Sequence, residues 1–104
     1  MNETDLKILT DRALEAARLA GGETAFRADV NNWPKELVGK WVDISKDIAD
    51  DHGLKLAGVR TDSFGFFKIG ATQDCVNGGF YNGVPIVMTE VPFDTVELVF
   101  RPKV

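Results

Sequence analysis

The chain's only imidazole is His52 and its only thiol is Cys75. Together they form a formal base–nucleophile dyad. A reactive thiol needs a base or positive surroundings to hold its thiolate, and here Asp74 precedes Cys75, favouring the neutral thiol instead. No catalytic signature surrounds it, so Cys75 reads as an incidental, semi-buried residue. The only serines are Ser45 and Ser63, and neither stands in G-x-S-x-G. The phosphate-cradling patterns G-x-x-x-x-G-K-[ST] and G-x-G-x-x-G are absent too. Glu90 and Glu97, placed on opposite arms of a last hairpin, read as exposed carboxylates on the wet face of a sheet.

Asp43, Asp47, Asp50, Asp51 and His52 crowd the end of a helical stretch. Asp47 and Asp51 are four apart and so share a helix face. Their spacing matches neither H-E-x-x-H nor an EF-hand loop, so no metal and no cofactor is expected. The pairs Lys40–Asp43 and Lys46–Asp50 fit a solvated face. Acids at a helix C-terminus oppose the macrodipole at about 0.3–1 kcal/mol each, which makes the cluster a candidate docking patch for a basic partner.

Aromatic residues mark a second surface. Phe80 and Tyr81 lie between Asn77-Gly78 and Asn82-Gly83, and Phe93 lies at another turn. Aromatics at loop tips serve as binding anchors, since they cover large area with little loss of side-chain freedom. They serve equally as lids folded onto a core. The run Phe64-Gly65-Phe66-Phe67-Lys68-Ile69 resembles part of the aromatic octamer of RNA-recognition motifs and cold-shock domains, whose strand aromatics stack on bases. The likeness covers six residues. Asp62 and Ser63 stand where a basic residue and glycine belong, and the element order suits neither family.

The elements that position these groups follow from periodicity. Leu6, Leu9, Ala13, Ala16, Ala17 and Ala20 predict a helix from about Asp5 to Ala20, capped by Asn2 or Thr4 and stopped by Gly21-Gly22. Glu23 to Val30 alternates weakly and predicts a short edge strand. Asn32-Trp33-Pro34 opens a second helix carrying Leu37, Val38, Trp41, Ile44 and Ile48 on one stripe, ended by His52-Gly53. Trp41 reads as core and Trp33 as a staple to Leu37 or Val38. Gly39 interrupts that helix and marks a close contact. The period then changes to two: Leu54–Thr61, Phe64–Ala71, Val84–Val91 and Thr95–Arg101 predict strands, with Asp62-Ser63 as a turn. Helices before strands predict one α+β domain over residues 1–104. Two N-terminal helices pack on one face of a mainly antiparallel four-stranded meander, five-stranded if Glu23–Val30 joins it.

The chain has 104 residues, 44% hydrophobic and 27% charged, with 12 bases against 16 acids and a net charge of −4. That length supports one unstapled core. A single cysteine suits a reducing compartment, and Met1–Asp5 lacks the cationic start of a secretory signal. No window reaches the length of a membrane span. A cytoplasmic protein outside membranes is expected. Duplex-binding proteins carry basic runs, which are missing here, so no nucleic-acid partner is expected.

The leading expectation is a non-catalytic protein-binding module of the inhibitor, immunity or phage-accessory kind, occluding a partner with Asp43, Asp47, Asp50, Asp51, Phe80, Tyr81 and Phe93. The first alternative is a structural or assembly protein, a virion or homo-oligomer component paired through the C-terminal strand. The second is a small enzyme using His52 with carboxylates.

Overall fold

Asn2 opens the chain's first helix. Its side chain accepts from Asp5 N–H, and the Asp5 carboxylate accepts from Asn2 N–H, a reciprocal cap. Helix α1 runs Glu3–Ala20 and stops at Gly21, whose φ of 75° suits glycine. Helix α2 runs Lys35–Asp51, from Pro34 to His52, and Gly53 turns the chain at φ 68°. The computed structural model describes residues 2–103. The other elements are β1 (Thr24–Asp29), β2 (Leu54–Thr61), α3 (Ser63–Ile69), β3 (Thr72–Cys75), β4 (Gly78–Tyr81), β5 (Val84–Met88) and β6 (Thr95–Pro102). No helix among the described residues is long and apolar enough to cross a membrane.

The α+β class holds, but the sheet has six strands in the order β1-β6-β2-β5-β4-β3. It is mixed: β2 and β5 are parallel, and every other neighbouring pair is antiparallel. A meander is therefore ruled out. β5 and β6 form no hairpin, because the chain leaves β5 and returns beyond β2. Glu90 and Glu97 consequently do not face each other across one. β6 lies between β1 and β2, so the edge expected of the C-terminal strand is not available for pairing with another chain. The edges are β1, as the alternation of residues 23–30 predicts, and β3.

The largest departure is the stretch predicted as a strand from Phe64 to Ala71. It forms helix α3. Asp62 caps it, its Oδ1 accepting from Gly65 N–H at 2.9 Å, and Gly70 ends it at φ 80°. Phe66 and Ile69 turn into the core while Phe64 and Phe67 turn out. In so short a run rich in Phe, periods of 2 and 3.6 place apolar residues almost equally well. The caps decide between them. Asp62-Ser63 is thus a helix start rather than a hairpin turn.

The turns were legible in part. Asn82 (φ 49°) and Gly83 (φ 80°) form the two-residue connection between Tyr81 and Val84, as Asn-Gly predicts. The β3–β4 turn is placed one residue before Asn77-Gly78. Val76 and Asn77 are its centre, and Gly78 pairs within the sheet.

One core joins the helices to one face of the sheet. Trp41 sits at its centre, fully buried, with its ring edge-on to Phe26 and Trp33 at 5.8 and 5.2 Å. Its indole N–H donates to Thr10 Oγ1 at 3.0 Å. That bond explains why the buried stripe of α1 is Leu6, Thr10, Leu14 and Ala17. Leu9, Ala16 and Ala20, predicted to face inward, are exposed. A buried indole N–H needs an acceptor, and Thr10 supplies it. Gly39 marks the close contact its position suggests: a Cβ there would lie 2.9 Å from Ile69 O and 3.1 Å from Tyr81 Oη.

Candidate functional site

The residues singled out from sequence fall in four separate places. Asp43 and Tyr81 belong to a clip between α2 and β4. The Tyr81 hydroxyl donates to Asp43 Oδ2 at 3.0 Å, and Asn82 Nδ2 donates to Asp43 Oδ1 at 2.7 Å. Lys46 Nζ completes the clip by donating to Asn82 O at 2.8 Å. Tyr81 is half-buried there, and burial, then the Asp43 carboxylate, pushes its phenol above the ordinary tyrosine range. It behaves as a lid fastened to the core. Phe80 points to the opposite, helix-free face of the sheet, opposite Pro85.

At the end of α2, Asp50 pairs with Lys103, while Asp47 and Asp51 are exposed and form no ion pair among the described residues. Neither Lys40–Asp43 nor Lys46–Asp50 forms; Lys40 reaches Glu3 instead. His52 is turned away from the acids preceding it. Its Nε2 lies 2.7 Å from Asp11 Oδ1 and its Nδ1 3.1 Å from Glu15 Oε2, both on α1. The Arg18 guanidinium beside Glu15 holds that carboxyl below the usual carboxylate range, and His52 adds to the effect. With both ring nitrogens on carboxylates, His52 forms no pair with Cys75, which is exposed on β3. The imidazole is a clasp between α1 and α2, and it lines neither the groove over Gly58 and Pro85, nor the one beside Gly39 and Tyr81, nor the one beside Lys55 and Lys103. No three His, Cys, Asp or Glu side chains among the described residues converge to hold a metal.

Phe93 belongs to the fourth place, and sequence reasoning missed its companions. Its ring packs edge-on against Phe64 at 4.8 Å. Phe67 follows one turn later on the same face of α3, with Lys35 Nζ 4.0 Å above its ring. Phe64, Phe67 and Phe93 are 56%, 67% and 62% exposed. Together they present on the order of 350 Å² of aromatic surface, taking about 200 Å² per side chain. A contiguous apolar patch of that size on a small protein is commonly a contact surface.

The base beneath these rings is polar and tightly tied. Lys68, on the inner side of α3, donates to Val30 O at 3.0 Å and to Asp94 Oδ2 at 2.6 Å. Asp94 is 3% exposed and takes a left-handed φ of 54°. Its backbone N–H donates to Asp62 Oδ2 at 2.7 Å, while the other Asp62 oxygen caps α3. One carboxylate, Asp62, therefore holds both the start of α3 and the turn that carries Phe93. One ammonium, Lys68, ties that turn to the loop entering α2. The remaining Asp94 oxygen, Oδ1, is buried without a protein partner, so the charge of Lys68 is what compensates it. A buried pair of this kind adds little net stability, whereas breaking it is strongly destabilising. Its effect is to fix α3 and the turn of Phe93, the two segments that carry the three aromatic side chains, against each other.

Asp62-Ser63-x-Gly65 before Gly70 is a cap and stop around seven residues, and this was the signal that could have revealed α3. Nothing local announces that Phe93 joins it. The chemistry available at this corner is cover and grip: exposed aromatic rings with a cation at their rim. No protein-family model, no curated protein and no solved structure matches the chain.

Proposed function

We propose that the chain is a non-catalytic protein-binding module whose partner docks on the corner formed by Phe64, Phe67 and Phe93. The observation that carries this reading is three phenyl rings, each more than half exposed, on segments held together by the partly buried Lys68–Asp94–Asp62 network. Segments fixed before contact lose little backbone freedom on binding, which is where docking affinity is otherwise spent. Covering them releases roughly 9 kcal/mol at 25 cal/mol per Å². Association itself costs about 4–15 kcal/mol, so the partner must also cover the surrounding surface, including Pro34 and Pro92. Aromatic residues at the centre of such a contact are the usual energetic anchors. The mode of action is occlusion of a partner's surface, in a reducing compartment that suits the free Cys75.

The test uses the full chain as bait in its native host, in three forms: wild type, Phe64→Ser/Phe93→Ser and Asp47→Lys/Asp51→Lys. The phenylalanine variant should lose the dominant partner while its melting temperature stays within a few degrees. The aspartate variant should keep it. If the outcome is reversed, docking belongs to the acidic end of α2. If both variants keep the partner, surface docking through either patch fails as an explanation.

A further inference from the structure

A strand at the end of a sheet leaves one row of its N–H and C=O groups without strand partners. This sheet has two such ends, β1 and β3. β3 is blunted. It is four residues long, its pairing shifts between Gln73 and Cys75, and the Gln73 side chain donates to Cys75 O at 3.0 Å. β1 is six residues long and pairs with β6 without a bulge. Val30 N–H, just beyond β1, donates to Asp94 O at 2.9 Å on the β6 side. Antiparallel strands alternate, so the polar backbone groups of Phe26 and Ala28 face β6, and those of Ala25, Arg27 and Asp29 face outward. Beside that edge lies a flank of α1. Thr10 meets Trp41, and Asp11 and Glu15 meet His52, which marks the side of α1 that faces α2. Leu9, Ala16 and Ala20 fall on the opposite side by helical spacing, and all three are exposed. α1 packs on β1, and α2 on β2, deeper in the sheet. The exposed flank of α1 therefore points past the free edge of β1.

We propose that the β1 edge is a dimer interface, in which two copies of the chain pair their β1 strands antiparallel about a two-fold axis at Ala28. The side chains select this occupant and this register. With the axis at Ala28, each Arg27 lies opposite the Asp29 of the other copy. Asp29 forms no ion pair among the described residues, and its Oδ1 accepts from Asn31 N–H, which leaves the other oxygen free. Arg27 holds Glu97 through Nε and Nη2. A guanidinium has further donors on its other nitrogen, so Nη1 can meet Asp29 while the Glu97 pair stays intact. An axis at Arg27 would oppose two guanidiniums, and an axis at Phe26 would set Asp29 against Glu23. Like charges directly opposite are destabilising. At the Ala28 register the outward backbone groups of Arg27 and Asp29 also exchange hydrogen bonds with their counterparts. The edge is its own complement, as a two-fold interface requires. The helices fit the same axis. Ala28 lies about 16 Å along β1 from the Gly21-Gly22 turn, at about 3.3 Å per residue. The same distance back along α1 is about eleven residues, which puts the axis between Leu9 and Ala13. Paired strands approach to about 4.8 Å, whereas helices pack at about 8–10 Å. Flanks that meet above such strands must be small, as Ala13 and Ala16 are.

The experiment is sedimentation of the full chain over a concentration series, with amide exchange followed on the same samples. The wild type should form a dimer, and its Arg27 and Asp29 amides should exchange more slowly as concentration rises. Asp29→Lys, which opposes cations across the axis, and separately Ala16→Arg, which crowds the flank of α1, should each weaken the dimer by about tenfold or more. A fold defect in one variant would show in its melting curve and leave the other decisive, and the exchange of the wild type needs neither. Asp74→Lys, on the β3 edge, and Phe64→Ser/Phe93→Ser should dimerise as the wild type does, so failure of the aromatic corner and failure of this interface are read separately. The proposal is overturned if the chain stays monomeric up to about 100 μM, far above a micromolar dissociation constant. It is also overturned if the dimer survives either well-folded β1-side variant, if the Arg27 and Asp29 amides exchange at a rate independent of concentration, or if the β3 or aromatic variant abolishes the dimer.

Discussion

Tyr81 shows how one residue's surroundings decide whether it is an anchor or a lid. Its hydroxyl is held by Asp43 and lies against Gly39, where a Cβ would come within 3.1 Å of it and within 2.9 Å of Ile69 O. Burial and the adjacent carboxylate both favour the neutral phenol. Its folded-state pKa is raised, so its stabilising contribution is complete below the unfolded value of about 10 and disappears as pH climbs through the folded one. The chain has one tyrosine, so phenolate absorbance reports this group alone. An alkaline titration should show a midpoint above that of free tyrosine, and Asp43→Asn should bring it back toward the ordinary value. A wild-type midpoint at or below about 10 contradicts the clip.

Helix α3 is the element on which the candidate site depends. As a strand, Phe64 and Phe66 would share one face and Phe67 the other. As a helix, Phe66 is core and Phe64 and Phe67 flank the docking corner. Alanine at the two positions separates these cases. Phe66→Ala should cost about 3–5 kcal/mol, the usual loss for a buried ring. Phe67→Ala should change stability by no more than about 0.5 kcal/mol. Denaturant unfolding of both variants is the measurement, and equal losses would point to a different placement of this segment. The two ends of α3 were legible from Asp62 and Gly70, whereas its neighbours in space, Phe93 and Asp94, were not. Their separation of some thirty residues is bridged only by folding β3, β4 and β5.

For the whole molecule, the path of the chain matters more than its list of elements. β6 is the last strand made, yet it lies inside the sheet with β1 on one side and β2 on the other. β3, short and exposed along its length, forms one edge. Amide exchange should therefore be slowest along β6 and β2, which open only with the whole fold, and fast in β3. A β6 that exchanges as rapidly as β3 would contradict the strand order. The same arrangement leaves the helix-free face as a broad surface of apolar side chains and paired charges, and directs any edge-to-edge self-association to β1 or β3.

The local sequence determined the features that depend on neighbouring residues. These include both long helices with their stops, the Asn82-Gly83 turn, the burial of Trp41, the strand from Thr95 and the α+β class. Each rests on backbone preference or on hydrophobic spacing within a few turns. Tertiary structure alone decided what depends on distant partners. Thr10 is buried because Trp41 needs an acceptor, Tyr81 is a lid because Asp43 lies beneath it, and β6 enters the middle of the sheet. The aromatic corner exists because Lys68, Asp62 and Asp94 meet across three segments. Pairing energies of this kind are set by which side chains the folded chain brings within hydrogen-bond reach, and no periodicity along the sequence carries that information.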